Sequence, residues 1–255
     1  MKLIRRSSIV IVLLALFETA SIITWAQQPG GVVARIIVMK PKDGMQKQFE
    51  DGYKRHLEWH RRNNDSWSWY GWQIVEGRRV GYFMDGSFGH LWQDFDRPVS
   101  PAEDSHDVEV NVLPYAELLA LSHYKMREDL SNQKTLEERK PSRLLKVEHY
   151  TVRPGHERDF ETVLRALQKK PSLKLRQTWY QLTGGGAQST YLRFVPLDKP
   201  SDLETQRSIS SLIEENFPGP DGNRLLGLFQ AAVLGVETET LLYRADLSYF
   251  PMSAG

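Results

Sequence analysis

The 255-residue chain contains no cysteine. Disulfides and a lipoprotein acyl-cysteine are therefore excluded, and the fold must be held by its core alone. Charge of one sign is missing as well: 33 Lys and Arg oppose 32 Asp and Glu, a net charge of +1. With acids and bases interspersed there is no field to gather nucleic acid, so no nucleic-acid partner is expected. No apolar run reaches the ~20 residues of a membrane-spanning helix. A complete catalytic motif is also lacking, so function has to be sought in the fold and in clustered side chains.

The chain does hold a secretory signal. Lys2, Arg5 and Arg6 precede the apolar run Ile9 to Phe17, which Glu18 ends, and Thr24-Trp25-Ala26 offers a small-x-small cleavage site. Residues 1–26 are thus expected to be a signal peptide, with Gln27 starting a periplasmic or secreted protein. It would meet the membrane only through that peptide, before cleavage. An apolar fraction of 40% is ordinary for a globular chain of one large or two small domains.

Sliding the sequence against itself brings out two copies. VVARIIVMKPKDGMQKQFEDGYKRHL lies over LLKVEHYTVRPGHERDFETVLRAL, with Gly44 over Gly155, Phe49 over Phe160 and Glu50 over Glu161. Farther on, Trp72-Gln73-Ile74 meets Tyr180-Gln181-Leu182, and Asp96-Arg97-Pro98 meets Asp198-Lys199-Pro200. Each copy reads strand, helix, hairpin, helix, strand. First strands are expected over Val33 to Lys40 and Leu144 to Thr151, helices over Met45 to Arg62 and His156 to Lys169, and a hairpin over Trp67 to Val75 and Val80 to Asp85. Second helices over Ser100 to Asn111 and Ser201 to Phe217, with last strands near Leu118 to Met126 and Thr238 to Leu247, complete the copies. The fold class is α+β: two tandem ferredoxin-like βαββαβ units, residues 33–126 and 143–250, joined by a polar linker, 127–142.

That order and spacing resembles the dimeric α/β barrel superfamily, the group of antibiotic-biosynthesis monooxygenase-like and NIPSNAP-like proteins. The resemblance implies that the two units face their sheets to form a pseudo-dimeric barrel within one chain. It also implies a range of functions, because the group holds cofactor-independent oxygenases, haem proteins and members without known activity. No catalytic motif of the family is matched residue by residue. No cofactor is assigned on this basis, and haem stays open.

Candidate site residues come from the pleat, which sends alternate side chains to opposite faces. Ala34, Ile36, Val38, Leu145 and Val147 form an aliphatic set assigned to the helices, along with His149. Arg35, Ile37, Met39, Lys146, Glu148 and Tyr150 form the other set, expected to line a polar cavity inside the barrel or to close it through a salt bridge to Glu148. The run Gly86 to Trp92 reads as an insertion found only in the first copy, placing His90 at the cavity mouth with Phe88 and Trp92 as binding residues or as a plug. Trp67 and Trp69 offer aromatic platforms.

His90 and Tyr150 are the candidate proton carriers. Arg35, Trp67, Trp69, Phe88, Trp92, Lys146 and Glu148 are the candidate ligand contacts. His56 and His60 share one face of the first helix, but two histidines without a third ligand do not make a zinc site, so no metal is assigned. His123 is undecided, and His106 and His156 read as surface residues. The expected function is an exported barrel, monomer or homodimer, binding a small aromatic or apolar ligand. The alternatives are a cofactor-independent monooxygenase-like enzyme and a purely structural envelope protein.

Overall fold

The computed structural model describes residues 32–134, 136, 140–170 and 172–251; the expected signal peptide lies outside them. Eight antiparallel strands close into one barrel. The first half runs β1 (Val33–Pro41), α1 (Gln46–Arg62), β2 (Tyr70–Glu76), β3 (Phe83–His90), α2 (Pro101–Asn111) and β4 (Ala116–Met126). The second half runs β5 (Leu144–Val152), α3 (Glu157–Gln168), β6 (Thr178–Gly184), β7 (Thr190–Leu197), α4 (Ile209–Asn216), α5 (Pro220–Ala232) and β8 (Val233–Tyr243). Around the barrel the order is β1-β3-β2-β8-β5-β7-β6-β4, so each half contributes four adjacent strands. Among the described residues no helix is long and apolar enough to cross a membrane.

The closed sheet buries one face inside the barrel and much of the other beneath the helices, leaving outward residues of β4 and β8 such as Leu118, Leu121 and Val236 exposed. The structure reverses the expected assignment of the two strand faces. Ile36, Trp72, Met84, Tyr124, Val147, Tyr180, Phe194 and Leu241, one from each strand, join in a single interior cluster. The charged set lies outside, under the helices. There Phe49, Tyr53 and Leu57 of α1 pack with Met39 and Phe83, while Phe160 and Leu164 of α3 and Phe229 of α5 pack with Tyr150 and Trp179. The physical reason is access to partners. The interior receives its side chains from the strands and from Leu136 of the joining segment, and takes aliphatic and aromatic residues; buried charges persist where neighbouring strands and helices can pair them.

Gly86 to His90 are not an inserted loop but the end of β3, paired with β1 as far as Val33. Glycine weakens the strand signal, yet here the Phe88 ring covers Gly86, where a Cβ would come within 2.9 Å of that ring. A bulge follows: Arg35 pairs with Ser87 but Val33 with His90, and Gly89 takes φ 80°. The extra residue returns His90 to the face of Ser87 and Arg35, while Phe88 points into the barrel against Tyr70, Tyr180 and Phe194. Two further expectations change. The helix expected over Ser201 to Phe217 is split into a 3-10 turn, Pro200–Thr205, and the separate α4 capped by Ser208, and α5, whose Leu225, Phe229 and Ala232 recur at helical spacing, is an additional element. The polar linker is partly built into the fold, since Leu130 is fully buried against the second helix layer.

The plug reading thus splits. Phe88 is 1% exposed and Trp92 53%. Phe88→Ala should cost about 3–5 kcal/mol of unfolding free energy, whereas Trp92→Ala should stay within about 0.5 kcal/mol. Urea denaturation of the two variants checks this, and equal losses would refute the interior placement of Phe88.

Candidate functional site

The best-supported site lies between the sheet of the first half and the two helices that cover it. On α1, Tyr53, His56 and His60 follow each other at three and four residues and turn toward the sheet. Gly52, on the same helix, lets α2 come close: a Cβ there would meet the Asn111 carbonyl oxygen at 1.9 Å. That contact brings Asp104 and Asp107 of α2 beside the two imidazoles. From below, β1 supplies Arg35, and β3 supplies Asp85, which is paired with Ile37. Trp69, just before β2, forms one wall.

These residues enclose a cavity of about 340 Å³, lined also by Val108 and Leu121. That is within the range of small-molecule sites. Tyr53 donates its hydroxyl hydrogen to Asp85 Oδ2 at 2.7 Å. The Arg35 guanidinium lies over the rings of Trp69 and Trp67, 4.5 and 5.3 Å from their centroids. His56 Nδ1 meets Asp107 Oδ1 at 2.9 Å, and His60 Nδ1 approaches Asp65 Oδ2 at 2.8 Å, too bent for a well-formed hydrogen bond. The two Nε2 atoms face each other across 3.1 Å.

What marks this cavity chemically is unmet bonding. Arg35 Nε, Asp85 Oδ1 and Asp104 Oδ1 are buried and find no hydrogen-bond partner in the protein. Such groups are costly to bury, and their convergence on one space points to a polar guest. Burial pushes the Asp85 carboxyl up to about 6, against the opposing pull of the Tyr53 hydrogen bond and the Arg35 charge. Burial likewise lowers the Arg35 and His56 pKa values, with nearby aspartates working the other way in both cases.

The second half shows what the same place looks like when it is filled. Glu148, paired with Arg193 across β5 and β7 as Ile37 is with Asp85, binds Lys146 at 2.8 Å, Arg193 at 3.1 Å and the Tyr150 hydroxyl at 2.7 Å. Arg193 Nε is taken by Gln177 at 2.7 Å. Leu164 and Leu167 of α3 pack in the helix layer above. The salt bridge to Glu148 therefore exists, under the helices rather than inside the barrel. Lys146, Glu148 and Tyr150 do not join Arg35 around one cavity as expected. Tyr150 is buried and bonded, with its pKa raised by burial and then by Glu148, so it is not poised to move a proton.

His90 belongs to the first half but to another opening. It accepts or donates at Ser87 Oγ over 2.6 Å, stacks on Trp67 at 4.1 Å, and has its pKa lowered to about 4 by burial, so it is neutral at pH 7. With Trp67, Gln93, Asp94 and Arg97 it lines a wider polar cleft of about 690 Å³. That cleft is larger, yet the orphaned charged groups turn to the smaller cavity, which we take as the better candidate. Trp92 stacks outside, near His123. Arg35, Trp67 and Trp69 are thus brought together as expected. Tyr53, His56, His60, Asp85 and Asp104 were missed as site residues, although the run of polar aromatics on the inward face of α1 was a signal.

No protein family is matched by the sequence, and no curated protein is either. Solved structures share the fold. A candidate monooxygenase from Lactobacillus acidophilus NCFM is 7% identical, with a TM-score of 0.51 over 86% of this chain and 96% of that one. An anthrone oxidase-like protein is 8% identical, at 0.52 over 84% and 92%. A candidate monooxygenase from Fusobacterium nucleatum is 8% identical, at 0.52 over 84% and 93%. At such identity the likeness shows an α+β barrel architecture and leaves function to the site.

The raised pKa of Asp85 has a sign that can be measured. Because ionisation is disfavoured in the folded state, the associated penalty is absent below pH 3.8, grows up to about 6 and persists above it. Asp85→Asn keeps an acceptor for Tyr53 and should stabilise the protein by about 2–3 kcal/mol at pH 7.5 and hardly at all at pH 3.5. Melting curves at the two pH values test it; a variant less stable than the parent at pH 7.5 would contradict the assignment.

Proposed function

We propose that this chain is an exported α/β-barrel protein that binds a small aromatic ligand bearing an acidic group, in the cavity beneath α1 and α2. The observation that carries the reading is the convergence of three orphaned buried polar atoms, on Arg35, Asp85 and Asp104, upon a cavity walled by Trp69 and Tyr53. Arg35 would meet the acidic group, since a guanidinium supplies fixed parallel donors to an oxyanion. Trp69 would hold the ring, and Ile37, Val108 and Leu121 its apolar edge. The export part of the reading is supported by the amino-terminal sequence pattern alone. The repeated element order, with each half laying its strands in the same relative order around the barrel, supports two tandem ferredoxin-like units and kinship with the dimeric α/β barrel superfamily.

A second reading, oxidation of the bound ligand by dioxygen, is favoured by Asp85. A buried carboxyl with a pKa near 6 and one free oxygen suits it to take a proton from an activated methylene. The fold shared with two candidate monooxygenases and an anthrone oxidase-like protein agrees with this. Conversion of such a methylene to a carbonyl balances with dioxygen alone: one oxygen enters the carbonyl, and the other leaves as water with the two hydrogens.

Binding can be followed through Trp69 and Trp67. Titration with 1-hydroxy-2-naphthoate should give saturable quenching of tryptophan fluorescence, and Arg35→Met should weaken it at least tenfold, about 1.4 kcal/mol, with folding retained. Absence of saturation, or equal affinity in the variant, would remove the binding reading. An oxygen electrode with anthrone as substrate decides the second: uptake that Asp85→Asn abolishes supports it, and no uptake by the parent protein rejects it.

A further inference from the structure

The geometry points to a divalent transition-metal site formed by His56, His60 and Asp104. His56 Nε2 and His60 Nε2 lie 3.1 Å apart, and Asp104 Oδ1 is 3.6 Å from the first and 3.8 Å from the second. A triangle of these sides is what an ion about 2.0–2.2 Å from each ligand atom would subtend. The two imidazoles are buried and the carboxylate half-buried, so the three atoms are held by packing rather than by solvent-exposed side chains.

The tautomers argue the same way. Each histidine turns its Nδ1 toward a carboxylate, His56 to Asp107 and His60 to Asp65. The Asp107 carboxylate bonded to His56 Nδ1 places that ring's proton there and leaves its Nε2 lone pair free, whereas His60 Nδ1 makes no well-formed hydrogen bond with Asp65. His56 Nε2 therefore faces His60 Nε2 at 3.1 Å as an acceptor, with the unpartnered Asp104 Oδ1 near both as a third ligand atom. A cation bound here would take the Nε2 lone pair of each ring together with the otherwise unpartnered Asp104 oxygen. Carboxylates on the far side of ligating imidazoles are also the usual outer support of a metal site.

Two imidazoles and one carboxylate suit zinc, or iron(II) and its neighbours, better than calcium or magnesium, which prefer all-oxygen shells. All three ligand residues also line the 340 Å³ cavity, so a coordination position is left open toward it. A closed structural zinc site would need a fourth protein ligand; an open one admits water or a ligand oxygen. In the sequence the histidine pair of α1 has no third ligand at a recognisable spacing. That ligand is on α2, where linear spacing could not show it.

The metal site shares this cavity and its Asp104 oxygen with the small-ligand reading, and the experiment separates the two. Full-length processed protein, stripped with chelator, is titrated with zinc alone by calorimetry, and the cobalt(II) form is examined by visible absorption. One equivalent should bind. Asp104→Asn, on a half-exposed helix position where folding should be retained, should weaken zinc by more than tenfold, and His60→Gln should abolish the cobalt spectrum. Asp107→Asn, a positioning residue, should cost about tenfold or more. Arg35→Met should keep zinc while losing the aromatic ligand, and removal of exposed His106 should change nothing. The proposal is overturned if the parent protein binds zinc no better than Asp104→Asn, or if His106→Ala removes the binding. Should His60→Gln fail to fold, Asp104→Asn alone decides.

Discussion

A half-buried arginine whose Nε is sealed from solvent without a hydrogen-bond partner is the constraint around which the first half is arranged. Arg35 sits under α1 on the faces of two tryptophans, near Asp85, Asp65 and Asp104 but with its Nε orphaned. Cation–π contact and diffuse attraction to the aspartates hold the charge in place without satisfying its donors. In turn Asp85 leans on Tyr53, and Asp65 gathers His60, Trp69 and the backbone N–H of Trp67. A layer that could be filled by leucines instead keeps an open, polar space.

The barrel serves this layer by being inert. Its interior is an aliphatic and aromatic core supplied by all eight strands, and the second helix layer is closed by the Lys146–Glu148–Arg193–Gln177 network under leucines. Two chemically different solutions therefore lie on opposite sides of one sheet cylinder. In one, buried charges cancel; in the other, they are left partly unmet. Unpaired buried polar groups persist when function requires them, and among the described residues those that are charged lie in the first half.

Much of this was legible in the chain. Period and turn chemistry identified β1, α1, β5 and α3 within a residue or two, and the repeated order of elements pointed to the barrel. The strand faces were inverted because charge was read as a sign of a cavity inside the cylinder. The polar face of α1, with Tyr53, His56 and His60, held the correction: a helix face of that kind has to pack on a sheet face that can bond to it, which is the face of Arg35 and Asp85. Glycines concealed the end of β3, since the ring that covers Gly86 is that of Phe88, two residues farther along the same strand face. Asp104 could not be found at all from spacing, because its place depends on the contact between Gly52 and Asn111.

The covering helix α2 contributes no fully buried side chain to the fold. Its attachment is made of the Gly52 approach, the aspartates that reach the imidazoles, and the half-buried Val108. Detaching it would leave every strand ladder intact, so opening there costs less free energy than global unfolding. Exchange between cavity and solvent is thereby uncoupled from barrel stability: mutations can harden or soften the core without changing how often the site is visited, and whatever bridges α1 to α2 sets its residence time.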